Sequence, residues 1–205
     1  MTSHALLRWL QRGFLLLGLL LLAAWSQTAH ESHSFQSAES VKLEMALGYV
    51  ASSPDRAPLV ASSAFDSSRL RELGPVLGRI EISRLHMSAI IAEGVDQKTL
   101  GRAIGHISWS ALPGSPGNCA LAGHRDTFLR GLAGVRVDDC IQIVTLGGTY
   151  TYEVVWTEVL DPRRIEVLDS TATRSLTLVT CYPFDFVGHA PQRFVVRAKQ
   201  VMTAL

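Results

Sequence analysis

Apolar and polar positions divide this chain into three stretches of different character. The first is an unbroken, leucine-dominated apolar run from residue 13 to 25, led by Arg8 and Arg12. Basic residues on the leading side of such a run hold the N-terminus in the cytoplasm and send the rest of the chain across the membrane. The run is short for a full span, but flanking Trp9 and Trp25 extend it towards the roughly 20 residues that a bilayer requires. A retained signal-anchor over residues 1–25 is therefore expected in preference to a cleaved leader, for which Ala24-Trp25-Ser26 is the permissible site. In the second stretch, residues 26–73, the pattern dissolves into Ser, Ala and Glu, with breakers at Ser52-Ser53-Pro54-Asp55 and Ser62-Ser63. Only residues 39–49 keep apolar groups at helical spacing (Val41, Met45, Ala46, Tyr49), which leaves two readings open for the stem, a short juxtamembrane helix before a flexible linker or a solvated tether throughout.

The third stretch, residues 74–205, reads as a β-rich domain. Short apolar runs at 79–82 and 89–92 open it, and Asp96 is placed to cap a short helix. Residues 111–118 are a tight Pro- and Gly-rich loop that delivers the chain into a strand at 119–123. Runs at 141–145 and 149–160 flank Gly147-Gly148, a two-residue hairpin signal. In the second of these, Tyr150, Tyr152, Val154 and Trp156 alternate with polar or smaller neighbours, as in a strand with one face inward. The last strands are 175–180 and 193–201. Many short strands with almost no helix indicate an all-β, closed or nearly closed barrel.

Composition narrows the function classes. With 205 residues and 47% hydrophobic content the chain supplies one core. A formal net charge of +1 and 18% charged residues give no field for phosphate backbones, so nucleic acid is not an expected partner. There is no Gly-rich phosphate loop and no metal-spaced Cys/His cluster, so no cofactor and no metal are expected. Three cysteines in an exported chain leave at least one unpaired. Cys119 and Cys140 lie in apolar or alternating runs and read first as small buried residues, with a disulfide between them left open.

The third thiol is differently placed. Thr177-Leu178-Val179-Thr180-Cys181-Tyr182-Pro183-Phe184 brings Cys181 to the end of a β-branched run that Pro183 terminates. Ala120-Leu121-Ala122-Gly123-His124-Arg125-Asp126 ends a second run in His124, with His86, His106 and His189 as competing imidazoles. Arg193 opens the strand Gln192-Arg193-Phe194-Val195-Val196, where a surface ion pair with Asp185 or Glu158 is the plainer reading. A thiol, an imidazole and a permanent cation at strand ends are the parts for acyl transfer through a thioester.

These motifs together resemble the sortases, most closely class D, over residues 78–198. Gly78-Arg79-Ile80-Glu81-Ile82, Gly105-His106-Ile107 and Leu112-Pro113-Gly114-Ser115-Pro116-Gly117-Asn118 add to the likeness, as does Ala190-Pro191 before Gln192. The resemblance implies a closed eight-stranded β-barrel with Cys181 as nucleophile, His124 as general acid and base, and Arg193 as oxyanion and substrate stabiliser. It also implies that Thr180 helps bind the sorting peptide. The expected partners are proteins carrying a signal like Leu-Pro-x-Thr-Gly or Leu-Pro-x-Thr-Ala (LPXTG- or LPXTA-like) and an amine acceptor in the cell envelope. The expected location is the cytoplasmic membrane, single-pass, with the catalytic domain outside. Asp185 and His189 stand where similar proteins often carry aromatic or small residues, which bears on substrate choice. A papain-like peptidase is disfavoured because there the cysteine precedes the histidine and opens a helix. An L,D-transpeptidase lacks its Ser-x-Gly-Cys-x-Arg motif here. The alternative from another class is an anchored β-barrel binding module with an inert thiol.

Overall fold

The computed structural model describes residues 3–51, 75–186 and 188–201. Eight strands, β1 (Val76–Ile82), β2 (Met87–Glu93), β3 (Ile104–His106), β4 (Asn118–Ala122), β5 (Cys140–Thr145), β6 (Gly148–Leu160), β7 (Ser175–Tyr182) and β8 (Gln192–Val201), close in the order β1-β2-β3-β4-β7-β8-β6-β5. Period-two alternation builds the interior: Val76, Gly78, Ile80 and Ile82 of β1 are buried, with intermediate neighbours between them. Ile80, Ile91, Ile104, Leu121, Ile143, Val154, Leu178 and Val196 meet in the barrel core. Tyr152 is buried among them, and its hydroxyl accepts a hydrogen bond from Gly114 N at 2.8 Å. The expected cap is present, since Asp96 accepts from Lys98 N and Thr99 N at the start of α2 (Gln97–Leu100).

Two pairings are parallel, β2 with β3 and β4 with β7. The second is pinned at its start by Asn118, whose buried amide donates to Val167 O and Asp169 O and accepts from Thr177 Oγ1 at 2.6 Å. This register carries the chain leaving β4 alongside the end of β7.

Four sequence expectations change. β3 is an addition, because three residues are too short to show a period. The hairpin turn is Leu146-Gly147, not Gly147-Gly148: Thr145 pairs with Gly148, and the Thr145 hydroxyl accepts from Gly147 N. Leu146 is drawn into a small apolar cluster outside the barrel, so Gly148 becomes the first residue of β6. Cys140 is exposed, because burial of Ile141 and Ile143 in β5 leaves Cys140 on the outer face. Both Cys119 and Cys140 are free thiols.

The fourth change concerns the N-terminal region. Helix α1 (Ser3–Ala51) is continuous through residue 25, with no Gly or Pro between Gly18 and Gly48 to stop it. Its distal part docks on the barrel wall: Leu43 is fully buried with Val76, Ile90, Ala92 and Ala103, flanked by Phe35, Leu47 and Leu146. Gln36 donates to Arg102 O at 2.7 Å and accepts from Ile90 N at 2.9 Å. Glu44 pairs with Arg79 at 2.8 Å, and the Arg102 guanidinium lies 4.5 Å from the Phe35 ring centroid. The helix at 39–49 is thus part of a longer one, and it packs against the barrel. The proximal part carries exposed Trp9, Leu10, Phe14 to Leu17 and Leu19 to Leu22. Among the described residues no helix is long and apolar enough to cross a membrane. The stem breakers at 52–55 and 62–63 lie outside the described residues.

Candidate active site

Cys181 is the penultimate residue of β7, half-buried, and its Cα partner across the antiparallel pair is Arg193 of β8. Directly opposed residues share a face. Leu176 and Leu178 point into the core, and so does buried Thr180 by alternation, which puts Cys181 and Arg193 on the outer side of the wall. The Arg193 Nη1 donates to Gln192 O at 3.0 Å and Ala190 O at 3.3 Å. Among the described residues it makes no ion pair, so the surface pairing with Asp185 or Glu158 is not formed.

His124 arrives from the parallel neighbour. Gly123 N donates to Val179 O at 3.2 Å, and the Thr180 hydroxyl donates to Gly123 O at 2.8 Å, tying the chain after β4 to the strand that carries the thiol. Only glycine fits at 123, because a Cβ there would lie 2.9 Å from the buried Leu129 side chain. His124 is exposed, and its carbonyl accepts from Leu129 N as the chain turns into the 3-10 helix Arg130–Gly134.

His124, Cys181 and Arg193 line one cleft of about 330 Å³, together with Arg125, Asp126, Gly188, His189 and Ala190. The three candidate residues are therefore brought together. Thr180, expected to help bind the peptide, is 2% exposed, has its hydroxyl committed to Gly123, and is not among the lining residues. Its place is behind the thiol, as a tie between β7 and the His124 loop. Of the competing histidines, His106 is a buried structural residue between Glu93 Oε2 at 2.8 Å and Ala111 O at 3.1 Å. His86 sits in a left-handed turn position at φ 49°. His189 does reach the cleft, as do Arg125 and Asp126, which sequence reasoning uses only as turn markers. Their adjacency to His124 and Arg193 is the signal that could have found them.

A half-buried thiol open to a cleft contrasts with Cys119, which burial, with help from the Glu93 charge, pushes up to about 12. Cys119 stays a thiol. Among the described residues no group of three or more His, Cys, Asp or Glu is placed to hold a metal ion. The cleft can supply a sulfur nucleophile, an imidazole to move a proton and a fixed cation beside the reacting carbon.

The model of the sortase domain family matches residues 80–201. Sortase D of Bacillus subtilis strain 168 is 34% identical over 131 residues, which is 63% of this chain and 66% of that protein. The chain thus spans just under two thirds of that relative's length. A sortase D5 transpeptidase of Clostridium perfringens has a similar structure, with a TM-score of 0.60 and 29% identity, over 69% of this chain and 90% of that one. Sortase C-1 of Actinomyces oris has a TM-score of 0.60 and 26% identity, over 82% of this chain and 99% of that one. With the closed barrel, the cleft at the ends of β7 and β8, and a family match over most of the described barrel, this chain belongs to the sortase family.

Proposed function

We propose that this protein is a membrane-anchored cysteine transpeptidase that cleaves a Leu-Pro-x-Thr-Gly- or Leu-Pro-x-Thr-Ala-like sorting signal after threonine and transfers the cargo protein to an amine at the cell surface. The observation that carries the reading is the direct cross-strand opposition of Cys181 and Arg193 in a cleft that also holds His124. The Cys181 thiolate attacks the threonine carbonyl carbon, and the oxygen that gains the charge is met by the fixed donors of the planar Arg193 guanidinium. His124 donates a proton to the departing amide nitrogen, the C–N bond breaks, and a thioester remains. An incoming amine then attacks the thioester carbon, His124 takes up the amine proton, and the sulfur leaves. A new amide forms and the enzyme is restored. Buried Thr180 holds the His124 loop against β7 throughout.

The anchoring part of the reading is supported by the leucine-rich proximal part of α1, whose large apolar side chains lie exposed, and by the leading Arg8 and Arg12. At about 1.5 Å per residue the apolar run is shorter than the roughly 30 Å hydrocarbon core, so insertion draws in its flanks. The test uses the full-length protein in detergent with a panel of Leu-Pro-x-Thr-Gly and Leu-Pro-x-Thr-Ala peptides, with and without an added primary amine. Products are read by mass spectrometry against Cys181→Ala. Cleavage after threonine that needs Cys181, with amine incorporated, is the expected result. Intact peptides throughout would favour an envelope-binding barrel with an inert thiol. Retention of the protein in the membrane fraction after alkaline carbonate washing tests the anchor.

A further inference from the structure

We propose that Arg125 is a positioning residue that clasps the β7–β8 loop to the His124 loop and so fixes the width of the cleft; the proposal rests on the transpeptidase reading above. The loop from 183 to 191 separates Cys181 from Arg193 in the chain. Among the described residues its own hydrogen bonding is sparse: Phe186 N donates to Pro183 O at 3.4 Å, and Arg193 holds Ala190 O. Among the described residues, the hydrogen bonds that reach this loop from outside β7 and β8 are two from Arg125. Its Nη2 donates to Phe186 O and, at 3.0 Å, to Gly188 O. Phe184 fastens the near end of the loop by packing on the core and against Phe194. Arg125 holds the carbonyls of Phe186 and Gly188.

The position of the clasp gives it consequences for the chemistry. Arg125 follows His124 directly, and Gly188 and His189 line the cleft beside Cys181. Release of the loop from Arg125 frees Gly188 and His189, which line the cleft, and frees the Arg125 side chain next to His124. A planar guanidinium with several fixed donors can serve two carbonyls at once, whereas a lysine ammonium is a point charge on a flexible stem. Misplacement of reacting groups by about 1 Å is enough to lower a rate by up to about a hundredfold.

The experiment compares full-length wild type, Arg125→Ala and Arg125→Lys. It measures amide exchange of the segment 184–191, thermal stability, and steady-state cleavage of a Leu-Pro-x-Thr-Gly peptide. The expected result for Arg125→Ala is faster exchange in that segment at unchanged Tm, with kcat/KM lowered about tenfold or more through both kcat and KM. Arg125→Lys recovers part of the loss. Unchanged exchange at 184–191 in Arg125→Ala overturns the proposal, as does full peptide cleavage despite a loosened loop. A drop in Tm matching the loss of activity would make Arg125 a stability residue and overturn it too. Absence of cleavage by wild type counts against the transpeptidase reading instead, and exchange at 184–191 then decides alone whether Arg125 holds the loop.

Discussion

Replacing Leu43 by alanine isolates the docking of α1 on the barrel. Leu43 is fully buried at the centre of a cluster that lies outside the barrel interior, against Val76, Ile90, Ala92 and Ala103. Truncating a buried leucine costs about 2–5 kcal/mol when the site cannot collapse. The two Gln36 hydrogen bonds contribute about 1 kcal/mol each. The Glu44–Arg79 pair, with Glu44 63% exposed, adds at most a few tenths to about 1 kcal/mol. Loss of Leu43 thus removes the largest single contribution to docking, while the barrel core loses no contact. The expected outcome in full-length protein is that amide protection over residues 35–47 falls by about 30-fold or more. Protection in β7 and β8 remains. Glu44→Ala serves as the small-effect comparison. Unchanged protection at 35–47 would refute the reasoning, because Leu43 would then not hold the helix. Equal loss across all eight strands would refute it as well, since α1 would then be inseparable from barrel folding.

Two further outcomes concern titratable groups. In native protein, iodoacetamide at neutral pH should label exposed Cys140 and half-buried Cys181 but not Cys119, whose thiol burial pushes up to about 12; peptide mapping showing rapid Cys119 labelling would contradict this. The Asp139 carboxyl is held below its ordinary value chiefly by hydrogen bonds from Arg84, which joins the 3-10 turn after β1 to the start of β5. A depressed folded value means the stabilisation is present above the unfolded carboxylate range and is lost as pH falls through the folded value. Asp139→Asn should therefore lower Tm at neutral pH, with the gap to wild type closing in acid; a gap independent of pH would contradict the pairing.

Much of the site is legible in the sequence because its residues sit at strand ends, where β-branched runs stop at a glycine or a proline. Cys181 and Arg193 stand out that way, from the run before Pro183 and the run after Gln192. Their direct opposition is not legible, since register across β7 and β8 depends on the loop between them. His124 joins them through the parallel β4–β7 pairing, which Asn118 fixes by long-range hydrogen bonds with no local pattern. The substrate contact expected of Thr180 comes from the family resemblance, whereas strand alternation turns its side chain inward here. Cys140 departs from expectation for the same reason of parity, in the other direction. The docking of α1 is invisible in the sequence because Leu43 and Leu47 have their barrel partners, from Val76 to Leu146, far along the chain. His189 reads in the sequence as a competitor for His124 and as a departure bearing on substrate choice, and the fold places both histidines in one cleft.

The most direct measurement is intact-mass analysis of the full-length protein quenched in acid seconds after mixing with a Leu-Pro-x-Thr-Gly peptide, with the adduct then mapped to its residue. The expected result is a thioester-linked peptide ending in threonine on Cys181, discharged by added amine and strongly reduced in His124→Ala and Arg193→Ala. An adduct on Cys119 or Cys140, or full adduct formation without His124 and Arg193, would contradict the assignment of the cleft as the catalytic centre.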